Sequence, residues 1–181
     1  TVPGLHVARG TLTNTPVYAI RGVHRNTNPQ VLMLVNGIPV TMAFEGNRGD
    51  GWGGLPLENV ARIEVIRGPG SALYGADAFT GVINITTKTA ADIAGTQVGV
   101  RAGSFRSGDT WMLHGGSLGP MEVAAYLRIG TTAGSRRTVD TDTATPLGSS
   151  RAPGAIEDGH DAVDGSLDLS YNKWRLRVGY K

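Results

Sequence analysis

One run of residues has the spacing of a catalytic motif. Gly115-Gly116-Ser117-Leu118-Gly119 matches G-x-S-x-G, in which a serine on a sharp strand-to-helix turn acts as a nucleophile. That geometry requires a helix directly after the serine. Here Pro120 follows instead and leads into an alternating, strand-like segment from Met121 to Gly130. The sequence therefore does not predict a serine hydrolase.

Residue types that bind nucleotides or metals are present, but their spacing is wrong. Gly68-Pro69-Gly70 lacks the third glycine of G-x-G-x-x-G, and no Walker motif occurs. The four histidines are scattered, and the chain has no cysteine. Glu45, Asn47 and Asp50 carry oxygens that could bind calcium, but their spacing misses the EF-hand pattern. We predict no catalytic residue, cofactor or metal site, and hence no enzyme.

Composition excludes further classes of protein. The 181 residues carry 17 Lys and Arg against 15 Asp and Glu, and the arginines alternate with acids, so no basic surface for nucleic acid is predicted. The longest weakly polar run, Val31 to Phe44, is interrupted by Asn36, Gly37 and Pro39. It also falls short of the ~20 apolar residues that a membrane helix needs. No transmembrane helix is predicted.

The first half of the chain mixes short strands with helical turns, which predicts a compact α/β unit. Asn36-Gly37 between two apolar runs is a strong hairpin signal, because both residues accept a positive φ, and Pro39 places the second arm at a sheet edge. Ser71 is the predicted N-cap of a turn through Tyr74. The predicted strands are Val17–Gly22, Val31–Val35, Ile38–Val40, Arg62–Arg67 and Gly81–Thr87, with a helical turn at Pro56–Val60.

The second half alternates apolar and polar residues with period two. Met121, Val123, Ala125, Leu127 and Ile129 alternate with polar or small residues, and the last segment alternates Trp174, Leu176, Val178 and Tyr180 with charged residues. A soluble antiparallel sheet would bury its apolar face in a core. A membrane barrel would turn that face to lipid and its charged face to a watery interior. Periodicity alone leaves both explanations open.

A long motif distinguishes them. Leu55 to Lys88 reads LPLENVARIEVIRGPGSALYGADAFTGVINITTK, which resembles the plug-domain signature of TonB-dependent outer-membrane receptors in the phrases IERIEVIRGP, SALYG and GVINIITK. Upstream, VPGL from Val2, AIRGV from Ala19 and VLMLVNGIPV from Val31 follow in the order expected of such plugs. The resemblance is strong through Lys88 and weaker in the alternating segments that follow.

The resemblance implies a fold and a location. We expect an α/β plug domain, a small mixed sheet with short helices, over residues 1–90. The antiparallel strands of an incomplete transmembrane β-barrel would follow over residues 95–181, with about five strands of the family's ~22. Because the chain opens at Thr1 without a leader and ends on a strand-like segment, we expect a fragment. Its TonB-binding segment would lie before Thr1 and further strands after Lys181, in the bacterial outer membrane.

The resemblance also implies a role for two arginines. Arg21 in IRG and Arg67 in IRGP match plug arginines that are expected to pair with acids of the barrel wall, as a latch that holds the plug until TonB pulls. The alternative is that Arg62, Glu64 and Arg67 form local ion pairs on the plug surface, which are worth ~0–1 kcal/mol each when exposed.

Ligand contacts are expected in loops of the plug that face outside, here Val23–Pro29 and Thr41–Gly54. The second loop offers aromatic rings for stacking, a cation for an anionic group, and polar contacts. These candidates are Phe44, Trp52, Arg48, Glu45, Asn47 and Asp50.

The function that the resemblance implies is ligand-gated, TonB-energised uptake of a scarce nutrient, first a ferric siderophore, with haem or cobalamin as further candidates. Its partners would be TonB, the nutrient complex and outer-membrane lipid, and no nucleic acid. The alternative is a soluble or surface β-rich module that binds a ligand or mediates adhesion without transport. The two differ in where the apolar face of the strands goes.

Overall fold

A computed structural model describes residues 2–9, 16–25, 27–41, 55–135, 137–142, 144–156 and 158–180. The chain divides into two compact units, Thr1–Lys88 and Thr89–Lys181. Within the described residues, no helix is both long enough and apolar enough to cross a membrane.

The first unit is a small mixed α/β unit. A two-stranded antiparallel sheet pairs β1 with β2, and a four-stranded sheet has the order β4-β3-β6-β5, in which only β3 and β6 run parallel. The strands are β1 Leu5–Arg9, β2 Pro16–Ile20, β3 Val31–Val35, β4 Ile38–Pro39, β5 Val60–Arg67 and β6 Gly81–Thr87. A 3₁₀ turn spans Leu57–Asn59, and the one-turn helix α1 spans Ser71–Tyr74.

The predicted hairpin at Asn36-Gly37 is confirmed, with φ of 53° at Asn36 and 80° at Gly37. The Asn36 side chain also reaches β6, since its amide nitrogen donates to Thr87 Oγ1 at 3.0 Å and its oxygen accepts from the Thr87 N–H at 3.0 Å. Pro39 lies on β4, at the edge of the sheet, where its missing N–H leaves no ladder bond unmade.

Several predicted boundaries in this unit are wrong by one or two residues. Strand β4 ends at Pro39 and not at Val40, β5 begins at Val60 and not at Arg62, and the turn predicted over Pro56–Val60 spans Leu57–Asn59. The strand from Val17 ends at Ile20 and not at Gly22, because Arg21 (φ 52°) and Gly22 (φ 82°) take left-handed conformations that turn the chain. Helix α1 begins at Ser71 itself, which was predicted to be the N-cap. The Gly70 carbonyl accepts from the Leu73 and Tyr74 N–H groups and closes this turn.

The core of the first unit lies on both faces of β3 and β6. On one face, the buried side chains of β3 and β6 pack with Ile20. On the other face, they pack with Ala78. The buried members are Ile20, Val31, Met33, Ile83 and Ile85 on one side, and Leu32, Leu34, Ala78 and Val82 on the other. Because both faces are buried, these two strands read as continuous apolar runs.

The second unit is an antiparallel sheet of five strands in the order β13-β12-β9-β8-β7. The one-turn helix α2, Ala90–Ile93, precedes it. The strands are β7 Gly95–Gly103, β8 Ser107–Leu118, β9 Met121–Thr132, β12 His160–Tyr171 and β13 Trp174–Tyr180. The long connection between β9 and β12 carries the short pair β10 Thr138–Val139 and β11 Gly154–Ala155, and a 3₁₀ turn at Thr145–Leu147.

Connections at one end of this sheet are tight. Gly119-Pro120 joins β8 to β9, and Asn172-Lys173 joins β12 to β13. The other end carries the three-residue turn from Ser104 to Arg106 and the long connection after Thr132. Both connections at the first end are tight, whereas the long connection lies at the second end. The G-x-S-x-G run ends β8 and is followed by strand β9, so Ser117 faces Glu122 across a hairpin and not the start of a helix.

Candidate functional site

The five-stranded sheet exposes its apolar side chains and shelters its charged ones. We call the two sides the apolar face and the charged face. On the apolar face, Val100 is 77% exposed and Trp174 is 81% exposed. On the charged face, Asp164 is only 5% exposed. The remaining large exposed side chains of the apolar face are Val98, Met112, Leu118, Leu127, Ile129, Val163, Leu167, Tyr171, Leu176, Val178 and Tyr180.

This arrangement is the reverse of a soluble sheet, whose apolar face is buried. It is the arrangement of a transmembrane barrel, in which apolar side chains meet lipid and polar ones line the interior. Tyr171 ends β12, while Trp174 and Tyr180 begin and end β13. Aromatic residues at strand ends are typical of the girdles at membrane interfaces. The observed faces therefore favour the barrel over the soluble module.

The charged face carries a chain of ion pairs across four strands. Arg101 of β7 contacts Asp109 of β8 at 2.9 Å. The Arg128 guanidinium of β9 then bonds Asp109 on one side and Asp164 of β12 on the other, the latter at 2.7 Å. Arg128 and Asp164 expose only 16% and 7% of their side chains. Charges this sheltered must be paired to be tolerated, so the chain of pairs holds the four strands in one register.

A second cluster joins the last two long strands. Asp168 of β12 accepts two hydrogen bonds from Arg175, at 2.7 Å from Nε to Oδ1 and 2.7 Å from Nη2 to Oδ2. It also accepts from Arg177 Nε at 2.6 Å. Both arginines belong to β13, and Arg177 lies directly opposite Asp168 in the register. One carboxylate thus binds two guanidiniums on the neighbouring strand.

Trp111 also lies on the charged face, beside these ion pairs. The Arg101 guanidinium lies 5.5 Å from the Trp111 ring centroid, within cation–π range. Gly99 lies opposite Trp111, and a Cβ at Gly99 would overlap the indole ring. The ring therefore occupies the space that a side chain at position 99 would need, so only a glycine fits there.

Arg21 and Arg67 lie at one end of the first unit, beside the turn at Pro3-Gly4. Arg67 Nη1 donates to the Pro3 carbonyl oxygen at 2.6 Å, and the Arg21 backbone N–H donates to the Gly4 carbonyl oxygen at 2.9 Å. Among the described residues, neither guanidinium has a carboxylate partner. The structure thus brings the two predicted latch residues together, but it does not test their role.

Part of the local alternative does form. Arg62 Nε lies 3.1 Å from Glu64 Oε1, with both side chains well exposed, and Glu64 also accepts from the Asn84 amide at 3.0 Å. Because Arg67 is an odd number of residues from both, it leaves β5 on the opposite side of the strand. Arg67 takes no part in this surface pair.

The six predicted ligand-contact residues lie outside the described residues. These are Phe44, Glu45, Asn47, Arg48, Asp50 and Trp52. The two ends of their loop are positioned by the core, since the Val40 N–H donates to the Met33 carbonyl at 2.9 Å and Leu55 packs against the buried cluster around Ile20. Among the described residues, no group of three His, Asp or Glu side chains could hold a metal ion.

The alternation of the sequence predicts the charged face but not the ion pairs on it. Two of the pairs could have been found from hairpin register, since Arg101 lies opposite Asp109 and Asp168 opposite Arg177 across short turns. The Arg128–Asp164 pair joins residues on either side of the long connection. No local signal gives the register there.

Comparison with known proteins agrees with this geometry. Residues 1–82 match the family described as the TonB-dependent receptor plug domain. The vitamin B12 transporter BtuB of Vibrio vulnificus is 39% identical over 104 residues, which are 57% of this chain and 16% of that protein. BtuB of Photobacterium profundum is 36% identical over 86 residues, 48% of this chain and 13% of that protein. The chain spans about a sixth of the length of such relatives.

Solved structures share the fold of both units. The pyoverdine receptor FpvA of Pseudomonas aeruginosa superimposes with a TM-score of 0.68 at 20% identity, over 98% of this chain and 21% of FpvA. The ferric yersiniabactin uptake receptor FyuA of Yersinia pestis gives 0.62 at 20% identity, over 93% of this chain and 24% of FyuA. Their barrels contain the counterpart of the five-stranded sheet. Residues 1–82 are therefore similar to a TonB-dependent receptor plug domain, and the antiparallel strands that follow share the fold of the solved receptors FpvA and FyuA.

Proposed function

We propose that this chain is the gate and the first wall strands of a receptor that takes up a scarce nutrient under the control of TonB. The proposal rests on the two faces of the five-stranded sheet, because an exposed apolar face and a sheltered charged face fit a wall between lipid and a polar interior. The sequence predicts no catalytic residue. Residues 1–90 would form the plug and residues 95–181 the start of the barrel. No bond would be made or broken, so the receptor is not an enzyme.

The first candidate ligand is a ferric siderophore, as the sequence resemblance implies, with haem as a further candidate. Several receptors with this fold are named for siderophores. The loop with Phe44, Trp52 and Arg48 would offer rings for stacking and a cation for an anionic group. Glu45, Asn47 and Asp50 would add polar contacts.

Cobalamin is the second candidate, and a specific observation favours it. The relatives named as vitamin B12 transporters are 36–39% identical to this chain over about half of its length. The two ligands differ in charge and shape, so a direct comparison of uptake would separate them.

Uptake by the full-length receptor tests the proposal. The receptor is produced in a Gram-negative host that lacks its own siderophore, haem and cobalamin receptors, with and without TonB. We expect labelled ferric siderophore or labelled cobalamin to accumulate only with TonB and a proton gradient. Equal accumulation of every ligand without TonB would contradict the proposal.

We also propose that Arg21 and Arg67 latch the plug. Both residues contact the turn at Pro3-Gly4, and their guanidiniums have no carboxylate partner among the described residues, so acids elsewhere in the receptor would supply the partners. Replacing both by Ala should raise passive leakage of a small antibiotic through the outer membrane. The matched control is Arg62→Ala, which removes an exposed surface pair and should leave leakage unchanged. Unchanged leakage and uptake in the double variant would remove the latch.

A further inference from the structure

The short helix α2 is fixed to the charged face of the sheet that follows it. Ile93 is 3% exposed and forms one buried cluster with Leu113, Ala124 and Tyr126. Ala90 and Trp111 pack against the same cluster. The cluster covers the face that carries the ion pairs, so α2 lies on the side that a barrel turns inward.

A glycine makes this close approach possible. At Gly115 of β8, an added Cβ would collide with the Ala90 carbonyl oxygen and would lie 2.7 Å from Ile93 Cβ. The adjacent Gly116 points to the other face, where an added Cβ would meet only the His114 side chain, at 3.3 Å. The helix backbone thus rests directly on the strand, at a place where any other residue would push it away.

Hydrogen bonds fix both ends of α2. Thr89 and Asp92 form a capping box, in which the Asp92 carboxylate accepts from the Thr89 N–H at 2.8 Å and the Asp92 N–H donates to Thr89 Oγ1 at 3.3 Å. At the other end, the Gln97 amide nitrogen donates to the Ile93 carbonyl oxygen at 2.9 Å. A single turn of helix is unstable alone, so this order comes from the sheet and from the cap.

We propose that α2 is a fixed anchor, which stays on the charged face during transport and confines the gating movement to residues N-terminal to Thr89. The anchor begins at the residue after Lys88, whose N–H is itself bonded to the Asn59 carbonyl at 2.9 Å. Movement of the plug then starts on the N-terminal side of Thr89, while α2 keeps its place on the sheet. This proposal rests on the proposed TonB-driven uptake.

Cysteine labelling tests the anchor. Residues 1–181 contain no cysteine, and any cysteine elsewhere in the receptor is first replaced. In the full-length receptor, Ile93→Cys is exposed to a membrane-impermeant thiol reagent at rest and during TonB-dependent uptake. The expected result is continued protection while uptake proceeds. Labelling that rises with TonB-dependent uptake would overturn the proposal. Loss of TonB-dependent uptake in the receptor without substitutions would instead contradict the proposed function.

The two adjacent glycines supply the matched controls. In the Ile93→Cys background, Gly115→Ala should displace α2 and raise the labelling rate by roughly 5- to 150-fold, the range of an overpacking penalty. Gly116→Ala should leave the rate unchanged. Equal labelling in both variants would overturn the anchor, because the contact at Gly115 would then not hold the helix.

A tether gives an independent readout. Ile93→Cys is combined with Ala124→Cys or with Leu113→Cys, and the disulfide is scored by the gel mobility of the oxidised and reduced receptor. The expected result is that the oxidised receptor transports at the rate of its reduced form. Transport that stops on oxidation and returns on reduction would overturn the proposal, as would failure of both pairs to form a disulfide.

Discussion

Arg128 binds two aspartates of neighbouring strands, and its loss should leave one of them without a partner. Asp109 would keep Arg101, but Asp164 is sheltered and has Arg128 as its ion-pair partner. Removing one member of a sheltered pair costs about 3–5 kcal/mol, because the other charge stays desolvated. Arg128→Met should therefore destabilise the folded barrel strongly. The measurement is the urea midpoint of heat-modifiable gel migration in detergent.

The same substitution at Arg62 is the matched control. Arg62 also pairs with an acid, but both side chains are about half exposed or more. Exposed pairs contribute ~0–1 kcal/mol, so Arg62→Met should barely move the midpoint. Similar midpoints for the two variants would show that the pairs on the charged face contribute no more than surface pairs do.

A carboxylate in the long connection should respond to pH. The Ser135 N–H donates to Asp158 Oδ1 at 2.6 Å and its hydroxyl donates to Oδ2 at 3.0 Å. These bonds favour the charged form, so the pKa of Asp158 is lowered, first by the Ser135 backbone bond. A lowered pKa in the folded state gives stabilisation that is present above the unfolded value, ~3.9, and is lost as pH falls through the folded value.

The Ser135 amide proton reports this titration. Its chemical shift should change with a midpoint below ~3.9, and Asp158→Asn should flatten the curve. A midpoint at or above the ordinary value of an aspartate would contradict the assigned hydrogen bonds.

At the scale of elements, strands β5 and β2 approach β6 closely at Gly81. An added Cβ at Gly81 would collide with the Ile66 carbonyl oxygen and would lie 2.7 Å from Ile20 Cδ1. Because the first neighbour is backbone, the strands must separate, and overpacking of this kind costs about 1–3 kcal/mol. Gly81→Ala should therefore speed amide exchange along β6 in the folded receptor.

Gly165 in β12 is the control for this prediction. Its nearest neighbours to an added Cβ are the Tyr126 carbonyl oxygen at 3.7 Å and Leu127 Cδ1 at 3.9 Å, which are ordinary contacts. Gly165→Ala should leave exchange along β12 nearly unchanged. Equal effects of the two substitutions on their own strands would mean that close approach at Gly81 does not hold the sheet together.

Local turn chemistry explains which elements could be predicted from the sequence. The Asn36-Gly37 hairpin and the edge position of Pro39 depend on residues that are adjacent in the chain, and both were predicted. The parallel pairing of β3 with β6 joins residues about fifty positions apart. Propensity carries no information about such a pairing, and a mixed sheet followed from the family resemblance alone.

The same difference between neighbouring and distant residues applies to the ion pairs. Arg101 and Asp109 face each other across a short turn, so alternation and register place them together. Arg128 and Asp164 are separated by the long connection, whose length leaves register undetermined by local sequence. The roles of Arg21 and Arg67, and of the loop from Thr41 to Gly54, stay predictions.

At the scale of the whole molecule, the alternation of apolar and polar residues defines two faces of the sheet, but it does not determine which face meets solvent. Val100 and Trp174 would be core residues in a soluble sheet and are lipid-facing residues in a barrel. The structure exposes them and shelters Asp164. Together with the match of the first unit to a plug domain, this exposure is what the proposed barrel wall requires.

The most direct test is the environment of residues on the two faces of β9 in the membrane-embedded receptor. Spin labels are attached to single cysteines at Leu127, Ile129 and Glu122, of which Glu122 lies on the charged face, in a receptor in which any cysteine outside residues 1–181 has been replaced. The labels are probed with oxygen, which partitions into lipid, and with a water-soluble nickel chelate. We predict that labels at Leu127 and Ile129 collide mainly with oxygen, while a label at Glu122 is shielded from lipid. High chelate access at Leu127 and Ile129, with no alternation along the strand, would contradict a lipid-facing barrel wall.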